Sequence, residues 1–597
     1  MPVRFVASCR AVLAAVLLLA FAAPAAAAEL YVGPAGSDEN TGTDAEHPVA
    51  TLAHALTLVG AGDTVRVLGN LSGTGNVEVT ASLANLTIEG YGPAVSDADS
   101  DTWPVIDAAS SSMGLGLGAD GMTVRRLTFV GGTYGLMVSN VRDATVDHCR
   151  FGSPGYTTNT GLGVIESDGC TLSDCLAATC NAGVSVSGTY SGASLGNSIT
   201  NLQASGCLNV SLLIENTSNL VVAGGACTMS SSSGTNIAIE HAHDIVLSGM
   251  AVTGGAYAIM MYEATGPIAV TSCAISGANT CGIHLFLAFG VCIAGNSIHD
   301  NPNGLWTTYL PGLLLVGNSI ANSSGAGLSV STGSGAQGYA FLNTFSGNGE
   351  DLASVSGSDA VICSPVRLHF NAGERAVKTV LGNHYSNWSG TDANGDGIAD
   401  SPRVSAEVTD PAPLMADYFA NPGNASLHWF AGSGVTGGPL HLRNAGSSPD
   451  RITLADQASA VFSADDDTGA GQAYRGGRTG AGDGFAGWLC TVDSLPADQS
   501  LALALGHTAI GGSDFQPAGP AGEIVGDGYP RVHPFTLTGP TARIPEGRHL
   551  ALRVTNQTGA EVAILTGLAW LGLSASLPPV SLAPVYLGLL DDPVITY

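Results

Sequence analysis

Apolar residues along the chain recur in pairs separated by one position, and the pairs themselves repeat. Between residues 113 and 350 the pattern returns about every 22–27 residues. Clear copies are GLMVSNVRDATVDHCRF (135–151), GIHLFLAFGVCIAGNSI (282–298) and GLWTTYLPGLLLVGNSI (304–320). Alternation with a period of two is typical of β-strands, and helical periodicity is almost absent. The pattern therefore predicts a long series of short strands.

A unit this short cannot bury its own apolar face, but stacked copies shield one another. Coils of about 22 residues predict a parallel β-helix. About a dozen coils, spaced roughly 4.8 Å apart, would form a rod about 55–60 Å long. A β-sandwich, the alternative all-β fold, would show longer alternating strands joined by hairpin turns. Here the same half-pattern keeps its order and direction, which favours the β-helix.

Alignment of the coils places one column of residues at a sharp turn. Asparagines in such a column can stack their amides and satisfy the backbone groups of the turn. Cysteines there would behave as small buried apolar residues, in preference to disulfide or metal ligands. The residues of the column are Cys149, Cys175, Met250, Cys273, Asn296, Asn318 and Asn343.

The ends of a stacked β structure expose strand edges and need caps. EHPVATLAHALTLVG (46–60) contains the clearest amphipathic helical stretch, with apolar residues at three-residue spacing from Ala50 to Val59. DTVRVLG (63–69) follows as a first strand. We therefore assign residues 29–70 to an N-terminal cap and first strand.

The repeat stops near residue 418, which places the β-helix at residues 71–418. NPGNAS (421–426) has the composition of a linker. Residues 424–597 contain longer strand-like runs, such as HLALRVTN (549–556), between Gly, Pro and Asp turns. This texture predicts a C-terminal β-sandwich or jelly-roll domain.

The first 28 residues have the pattern of a signal peptide. Arginines precede an apolar stretch, AVLAAVLLLAFAA (11–23), and PAAAA (24–28) supplies small residues for cleavage after Ala28. No later stretch has the pattern of a transmembrane helix. We expect an exported protein that is periplasmic, secreted or on the cell surface, with no transmembrane helix after cleavage.

The chain is acidic, and this limits its partners. Its 597 residues include 48 Asp and Glu against 19 Lys and Arg, which gives a formal net charge of −29. Phosphate backbones are bound by clustered Lys and Arg. The composition therefore argues against nucleic acid as a partner.

Two segments resemble known β-helix proteins. ELYVGPAGSDENTGTDAEHPVATLAHALTLVGAGDTVRVLGN (29–70) resembles the opening of secreted right-handed parallel β-helix proteins of the pectate-lyase-like superfamily. GNHYSNWSGTDANGDGIADSP (382–402), with DPAPLM (410–415), is similar to the closing motif of NosD-like proteins. The first resemblance implies an all-β chain, a right-handed parallel β-helix followed by the C-terminal domain. The second implies a periplasmic role in copper-site assembly of nitrous oxide reductase.

One loop has the spacing of a calcium site. Oxygen ligands at positions 1, 3, 5 and 9, with a backbone carbonyl at 7, are typical of a calcium loop. Position 12 is Arg403 in place of a bidentate Glu, so a last carboxylate would come from Glu407 or Asp410. The alternative is an Asp/Asn/Gly turn that satisfies its own backbone. The predicted Ca²⁺ would be structural, and its ligands are Asp392, Asn394, Asp396, Ile398 and Asp400.

The strand that begins each coil presents a stripe of aromatic, histidine and carboxylate side chains. Such a surface suits a neutral sugar chain. Residues 151–366 contain no Lys or Arg, which disfavours a polyuronate as the ligand. No carboxylate pair is singled out as catalytic. The predicted substrate-binding residues are Glu240, Glu263, His284, Phe286 and Trp306.

Three functions remain open at this point. The first is a non-catalytic, calcium-stabilised rod that binds an extended polysaccharide or another cell-surface partner. The second is a glycan-active enzyme, for which a glycoside hydrolase is favoured over a polyuronate lyase. The third is a NosD-like periplasmic accessory in copper-enzyme maturation.

Overall fold

A computed structural model describes most of the chain. The described residues are 27–152, 158–188, 194–308, 313–331, 336–354, 360–364, 368–372, 375–417, 428–431, 440–443, 451–463, 484–490, 495, 499–508, 514–526, 532–538, 549–560, 562–565 and 570–573. The predicted linker lies outside them, as does the predicted signal peptide apart from its last two residues.

Three parallel sheets run side by side through the first two thirds of the described chain. Sheet 1 contains twelve strands that stack in chain order. Its strands are Val77–Val79, Met113–Leu117, Tyr134–Ser139, Thr158–Ile165, Cys180–Ser187, Val210–Glu215, Thr235–Glu240, Tyr257–Tyr262, Cys281–Phe286, Asn303–Thr307, Ala326–Val330 and Glu350–Ser354.

Sheet 2 follows sheet 1 within each coil and also stacks in parallel, except for one antiparallel strand at its end, Arg403–Ser405. Its other strands are Glu29–Val32, Thr64–Val67, Thr87–Gly90, Thr123–Arg125, Thr145–Asp147, Thr171–Ser173, Ser194–Leu195, Ser198–Ser205, Thr217–Met229, His243–Ser248, Thr265–Thr271, Phe289–Ala294, Leu314–Val316, Ala336–Phe341, Ala360–Ile362 and Val408–Asp410.

Sheet 3 completes each coil. It shares the long strands Ser198–Ser205 and Thr217–Met229 with sheet 2. Its remaining strands are Leu71–Ser72, Val105–Asp107, Thr128–Val130, Arg150–Phe151, Leu176–Ala178, Ala251–Gly254, Ala274–Ser276, Ser297–His299, Ser319–Ala321, Thr344–Ser346 and His384–Tyr385.

The predicted parallel β-helix is confirmed. Every pairing between described strands from residue 113 to 350 is parallel and joins one coil to the next. Inward side chains of successive coils form one continuous apolar cluster, which runs from Leu30 to Val408. Stacking thus buries the apolar face that a single coil leaves open.

The asparagine ladder is also confirmed. Asn318 donates its side-chain N–H to Ile293 O at 2.8 Å and to Asn343 Oδ1 at 2.9 Å. Asn296 in turn donates its backbone and side-chain N–H to Asn318 Oδ1, both at 2.9 Å. Each amide therefore satisfies the turn of its own coil and of a neighbouring coil.

The ladder continues beyond the last asparagine that the spacing identifies. Asn343 donates to Asn383 Oδ1 at 2.7 Å, although 40 residues separate the two. Asn383 donates to Asp410 Oδ2 from its backbone at 2.8 Å and from its side chain at 3.1 Å. Asp410 is thus the last member of the column.

The described cysteines are core residues, as predicted. All ten whose burial is described are buried. In the turn column, Cys149 Sγ lies 3.6 Å from Val124 O and Cys175 Sγ lies 3.5 Å from Val146 O. Each thiol thus contacts a backbone carbonyl of the preceding coil. Further along the column, the asparagine amides donate hydrogen bonds to the equivalent carbonyls.

The helix near the N-terminus, Leu52–Leu58, is shorter than the amphipathic stretch, and its buried face only partly matches the expected one. Thr51 caps it by accepting a hydrogen bond from His54 N. Leu52 and Ala55 are fully buried, whereas Ala53 is exposed. Of the expected three-residue face, Leu56 and Val59 pack against the core cluster, whereas Ala53 does not. The helix contacts the first strands of sheets 1 and 2.

Short elements accompany the coils. The 3₁₀ helices are Ala81–Leu83 and Ser100–Thr102. An antiparallel hairpin joins Leu368–Ala372 to Arg375–Thr379.

The C-terminal region is all β. Leu454 and Val562 of a two-stranded sheet belong to one apolar cluster with residues of a nine-stranded sheet, so the two sheets share a core. The large sheet runs in the order Gln516–Val525, Ser500–Thr508, His549–Asn556, Ser459–Ser463, Leu440–Arg443, His428–Ala431, Trp570–Leu573, Gly484–Cys490 and Val532–Thr538. The small sheet contains Arg451–Leu454 and Val562–Leu565.

Candidate functional site

The predicted stripe lies on the outward face of sheet 1, where parallel register sorts it into two columns. Glu240 pairs with Tyr262, and Tyr262 pairs with Phe286. In the adjacent column, two positions back along each strand, His284 pairs with Trp306. The structure thus brings four of the five predicted binding residues onto one face.

The rings of the stripe contact one another. Tyr262 and Phe286 stack with centroids 5.6 Å apart and an interplanar angle of 7°. His284 lies between Tyr257, at 5.1 Å, and Trp306, at 4.8 Å. Neighbouring coils are about 4.8 Å apart, so rings at one position in successive strands stack as a consequence of the fold.

Among the residues that the structure describes, the stack of rings ends at Phe286 and Trp306. After Trp306 the same column carries Ser329. Thr308 directly follows the end of the strand that contains Trp306, and its Oγ1 accepts a hydrogen bond from Leu287 N at 3.1 Å. Phe286 is 36% exposed, although it lies on a sheet of paired strands. Apolar sugar faces bind proteins against exposed aromatic surface of this kind.

His284 is enclosed by the rings. It is 7% exposed, and neither of its ring nitrogens has a hydrogen-bond partner among the described residues. Burial lowers the pKa of His284. The imidazole therefore packs as a neutral ring between Tyr257 and Trp306 and offers little exposed surface of its own.

Two carboxylates directly precede Tyr262 in its column. Glu215 pairs directly with Glu240 across adjacent strands. Neither side chain has a hydrogen bond or an ion pair with another described residue. Like charges opposite each other on a sheet are destabilising, so this pair is unusual. The sequence reasoning missed Glu215, because an isolated Glu in a repeat carries no motif.

Glu263 lies beside the stripe, in the turn that follows Tyr262. It has a φ of 47°, and its carboxylate lies 3.5 Å from His241 Nδ1. A hydrogen bond to Glu263, together with the charges of Glu263 and Glu240, raises the pKa of Tyr262. The stripe thus has an acidic end at Glu215, Glu240 and Glu263, and an aromatic end at Phe286.

The predicted calcium loop is folded around its own backbone. Asp392 accepts hydrogen bonds from Asp396 N at 3.0 Å and from Gly397 N at 2.9 Å, and Asp400 accepts one from Ala393 N at 2.8 Å. These oxygen donors fit calcium by type, but they also satisfy the turn without it. The calcium site stays a prediction.

Glu407 and Asp410, the two candidates for the last carboxylate ligand of the calcium loop, lie in different environments. Asp410 is fully buried at the end of the asparagine ladder and accepts four hydrogen bonds. It is therefore unsuited to complete the calcium site. Glu407 is exposed, in a turn with φ of 66°.

A mixed group of side chains at another turn was not predicted. Among the described residues, Asp147, His148 and Asp174 bring three ligand atoms within 4.8 Å of one another. Ser173 donates to Asp147 Oδ1 at 2.6 Å, and Asn201 donates to Asp174 Oδ1 at 2.6 Å. The carboxylates are thus held by hydrogen bonds from the protein itself.

The described cysteines offer no accessible soft-metal site. Burial raises the pKa of Cys180 and of Cys227 to about 12. Metals bind the thiolate form, so buried thiols of this kind are poor ligands.

No helix in the described part of the chain is long and apolar enough to cross a membrane.

Comparisons with known proteins agree with the fold. Residues 213–364 match the family described as "Right handed beta helix region". This confirms the expected right-handed parallel β-helix. No curated protein matches the chain by sequence.

Three solved structures that resemble this chain are distant from it in sequence. The mannuronan C-5 epimerase AlgE4 A-module of Azotobacter vinelandii is 15% identical, with a TM-score of 0.38 over 51% of this chain and 89% of its own. The lacto-N-biosidase of Eubacterium ramulus is 12% identical, with a TM-score of 0.38 over 56% and 67%. Tailspike protein 2 of Escherichia coli O157:H7 bacteriophage CAB120 is 11% identical, with a TM-score of 0.33 over 88% and 70%.

Proposed function

We propose that this protein is an exported rod that binds an extended glycan along sheet 1. The observation that carries the proposal is the ring stack on the outward face of sheet 1, which among the described residues runs to Phe286 and Trp306 and leaves Phe286 36% exposed. Sugar rings bind proteins through their apolar C–H faces against aromatic surface, with polar groups around them. Glu240 and Glu263 supply acceptors for sugar hydroxyls next to the rings.

The direction of the glycan follows from the stacking. Successive coils repeat the same position about every 4.8 Å along the rod. A saccharide chain that runs along the rod therefore meets an equivalent position on each coil that it crosses. This arrangement favours a chain of several sugars over a single small molecule.

Ring removal tests the proposal. Glycans that retain the wild-type protein are first identified on an array, and their affinities are then measured for Trp306→Ala and Phe286→Ala. One lost stacking contact is worth about 1.4 kcal/mol, so we expect about a tenfold loss of affinity.

Two comparisons make the result specific. Phe286 is partly exposed, so its loss should leave the melting temperature close to that of the wild type. Tyr91→Ala, which removes a 39% exposed ring outside sheet 1, should bind normally. Unchanged binding of both sheet 1 variants to every glycan that binds the wild type would refute the proposal.

Hydrolysis of the bound glycan is the second candidate, and the pairing of Glu215 with Glu240 favours it. Retaining glycosidases use two carboxyl groups about 5–5.5 Å apart, which is near the spacing of adjacent strands. Analysis of products after long incubation tests it: hydrolysis would give shorter oligosaccharides, and Glu240→Gln would abolish them. If the glycan stays intact after incubation with the wild type, hydrolysis is refuted and the protein only binds the glycan.

A further inference from the structure

A second tyrosine on sheet 1 repeats the position of Tyr257 in an earlier coil. Strand register joins Tyr134 to Tyr257 in one column, and the residues between them are Thr160, Ala182, Val210 and Thr235. Tyr257 lies on the fifth strand after that of Tyr134. At the spacing of neighbouring coils, the two positions are about 24 Å apart along the rod. Tyr134 therefore lies outside the ring stack but on the same sheet.

The ring of Tyr134 packs on backbone, where that of Tyr257 packs on another ring. Tyr257 lies against His284 of the next strand, with ring centroids 5.1 Å apart. Gly163 takes the equivalent place in the strand that follows Tyr134. A methyl group on Gly163 would lie 2.8 Å from Cε1 and 2.9 Å from Cδ1 of Tyr134, so a larger residue would push the ring away from the sheet.

The surroundings of Tyr134 do not give it a role in the core. Its side chain is half-buried and lies outside the apolar cluster of the β-helix. It has no hydrogen bond or aromatic contact with another described residue. Glycine inside a strand weakens the strand and often marks a place where a ligand or another backbone comes close. An outer ring supported in this way offers aromatic surface to an apolar sugar face.

The column that contains His284 connects the two tyrosines. Between Tyr134 and His284 it carries five uncharged residues, which are Gly163, Ser185, Leu213, Ala238 and Met260. Three of the five are no larger than serine. A polymer that runs along sheet 1 can therefore follow this column from one tyrosine to the other without meeting a charged side chain in it.

We infer that Tyr134 is a second stacking position of the glycan site, and that the ligand is a linear polysaccharide long enough to contact Tyr134 and Phe286 at once. Phe286 lies on the sixth strand after that of Tyr134. The span is therefore about 29 Å, which a short oligosaccharide does not reach. When one chain joins both positions, the second contact forms at a high effective concentration and strengthens binding. This inference rests on the proposed glycan binding.

Chain length provides the test. The full-length protein is titrated with size fractions of glucan, mannan, xylan and galactan. A fraction of about three sugar units reaches one stacking position, whereas a fraction of about ten units covers the whole span. The wild type should bind the long fraction of at least one polysaccharide about tenfold or more tightly than the short fraction, because one further ring contact is made.

Variants assign this ratio of affinities to Tyr134. The ratio of long- to short-fraction affinity should fall about tenfold in Tyr134→Ala and stay at the wild-type value in Tyr134→Phe, which keeps the ring. Gly163→Ala retains the tyrosine but displaces its ring, so it should lower the ratio as well. Tyr91→Ala, which removes an exposed ring outside sheet 1, should leave the ratio unchanged.

The outcomes separate the inference from the function on which it rests. Equal affinities of the wild type for the two fractions, or a ratio that Tyr134→Ala does not change, would overturn the inference. Glycan binding would still stand if the affinity depended on Phe286 and Trp306. Binding of an array glycan without binding of any long fraction would likewise overturn the inference alone. A wild-type protein that binds no glycan at all would refute both.

Discussion

At the scale of single residues, Asp410 shows how a carboxyl group is kept in the core. It accepts hydrogen bonds from Asn383, Tyr385 and Ala412. Burial raises the pKa of Asp410 to about 6, against these hydrogen bonds, which lower it. The folded state therefore holds a proton there more tightly than the unfolded chain does.

The pH dependence of stability follows from this shift. Because the pKa of Asp410 is higher in the folded state, its protonation stabilises the folded protein. This stabilisation is fully present below about pH 4 and is lost as the pH rises through about 6. A shift of about two pH units corresponds to about 3 kcal/mol. Chemical denaturation between about pH 4.5 and 6.5 should show the wild type lose stability relative to Asp410→Asn. Parallel profiles would show that Asp410 does not titrate in this range.

At the scale of elements, the asparagine ladder holds together turns that repeat on successive coils. Asn318 hydrogen bonds to Ile293 O and to its ladder neighbours on both sides. Removal of the amide leaves buried backbone groups without partners, and each such group costs about 1–3 kcal/mol.

Asn318→Ala should therefore destabilise the β-helix by about 2–4 kcal/mol, as measured by denaturant unfolding. Asn209→Ala serves as the matched control, since Asn209 is exposed and its side chain has no hydrogen bond in the described structure. It should change stability by less than about 0.5 kcal/mol. A similar effect of both substitutions would mean that the ladder adds little to stability.

The loop that contains Asp392, Asp396 and Asp400 is a second element with a clear test. Ca²⁺ at 100 times its dissociation constant should stabilise the folded protein by about 2.7 kcal/mol. The melting temperature should then rise with Ca²⁺ for the wild type and for Glu39→Ala, but not for Asp396→Ala. Identical melting curves with Ca²⁺ and with chelator would show that the loop is a self-contained turn.

The sequence predicted those parts of the fold that repeat. The coil, its direction, the buried cysteines and the ladder through Asn343 each follow from a regular spacing. Asn383 and Asp410 were missed as ladder members, because the insertion after Asn343 breaks that spacing. Periodicity identified Leu56 and Val59 as core-facing residues of the helix but missed Leu52 and Ala55, which are fully buried.

At the scale of the whole molecule, parallel stacking is what creates the site. Glu240, His284 and Trp306 are far apart along the chain and approach one another because adjacent coils align in register. Their presence on one face could be anticipated from the repeat. The pairing of Glu215 with Glu240 could not be anticipated in this way. Glu215 lies one coil before the predicted set, and only the strand register shows that it is next to Glu240.

The most direct test is a crystal structure of the full chain with the oligosaccharide that it binds most tightly. The account predicts saccharide density along sheet 1, with one ring against Phe286 or Trp306 and the chain directed towards Glu240. Density confined to another sheet, or to the C-terminal domain, would contradict it.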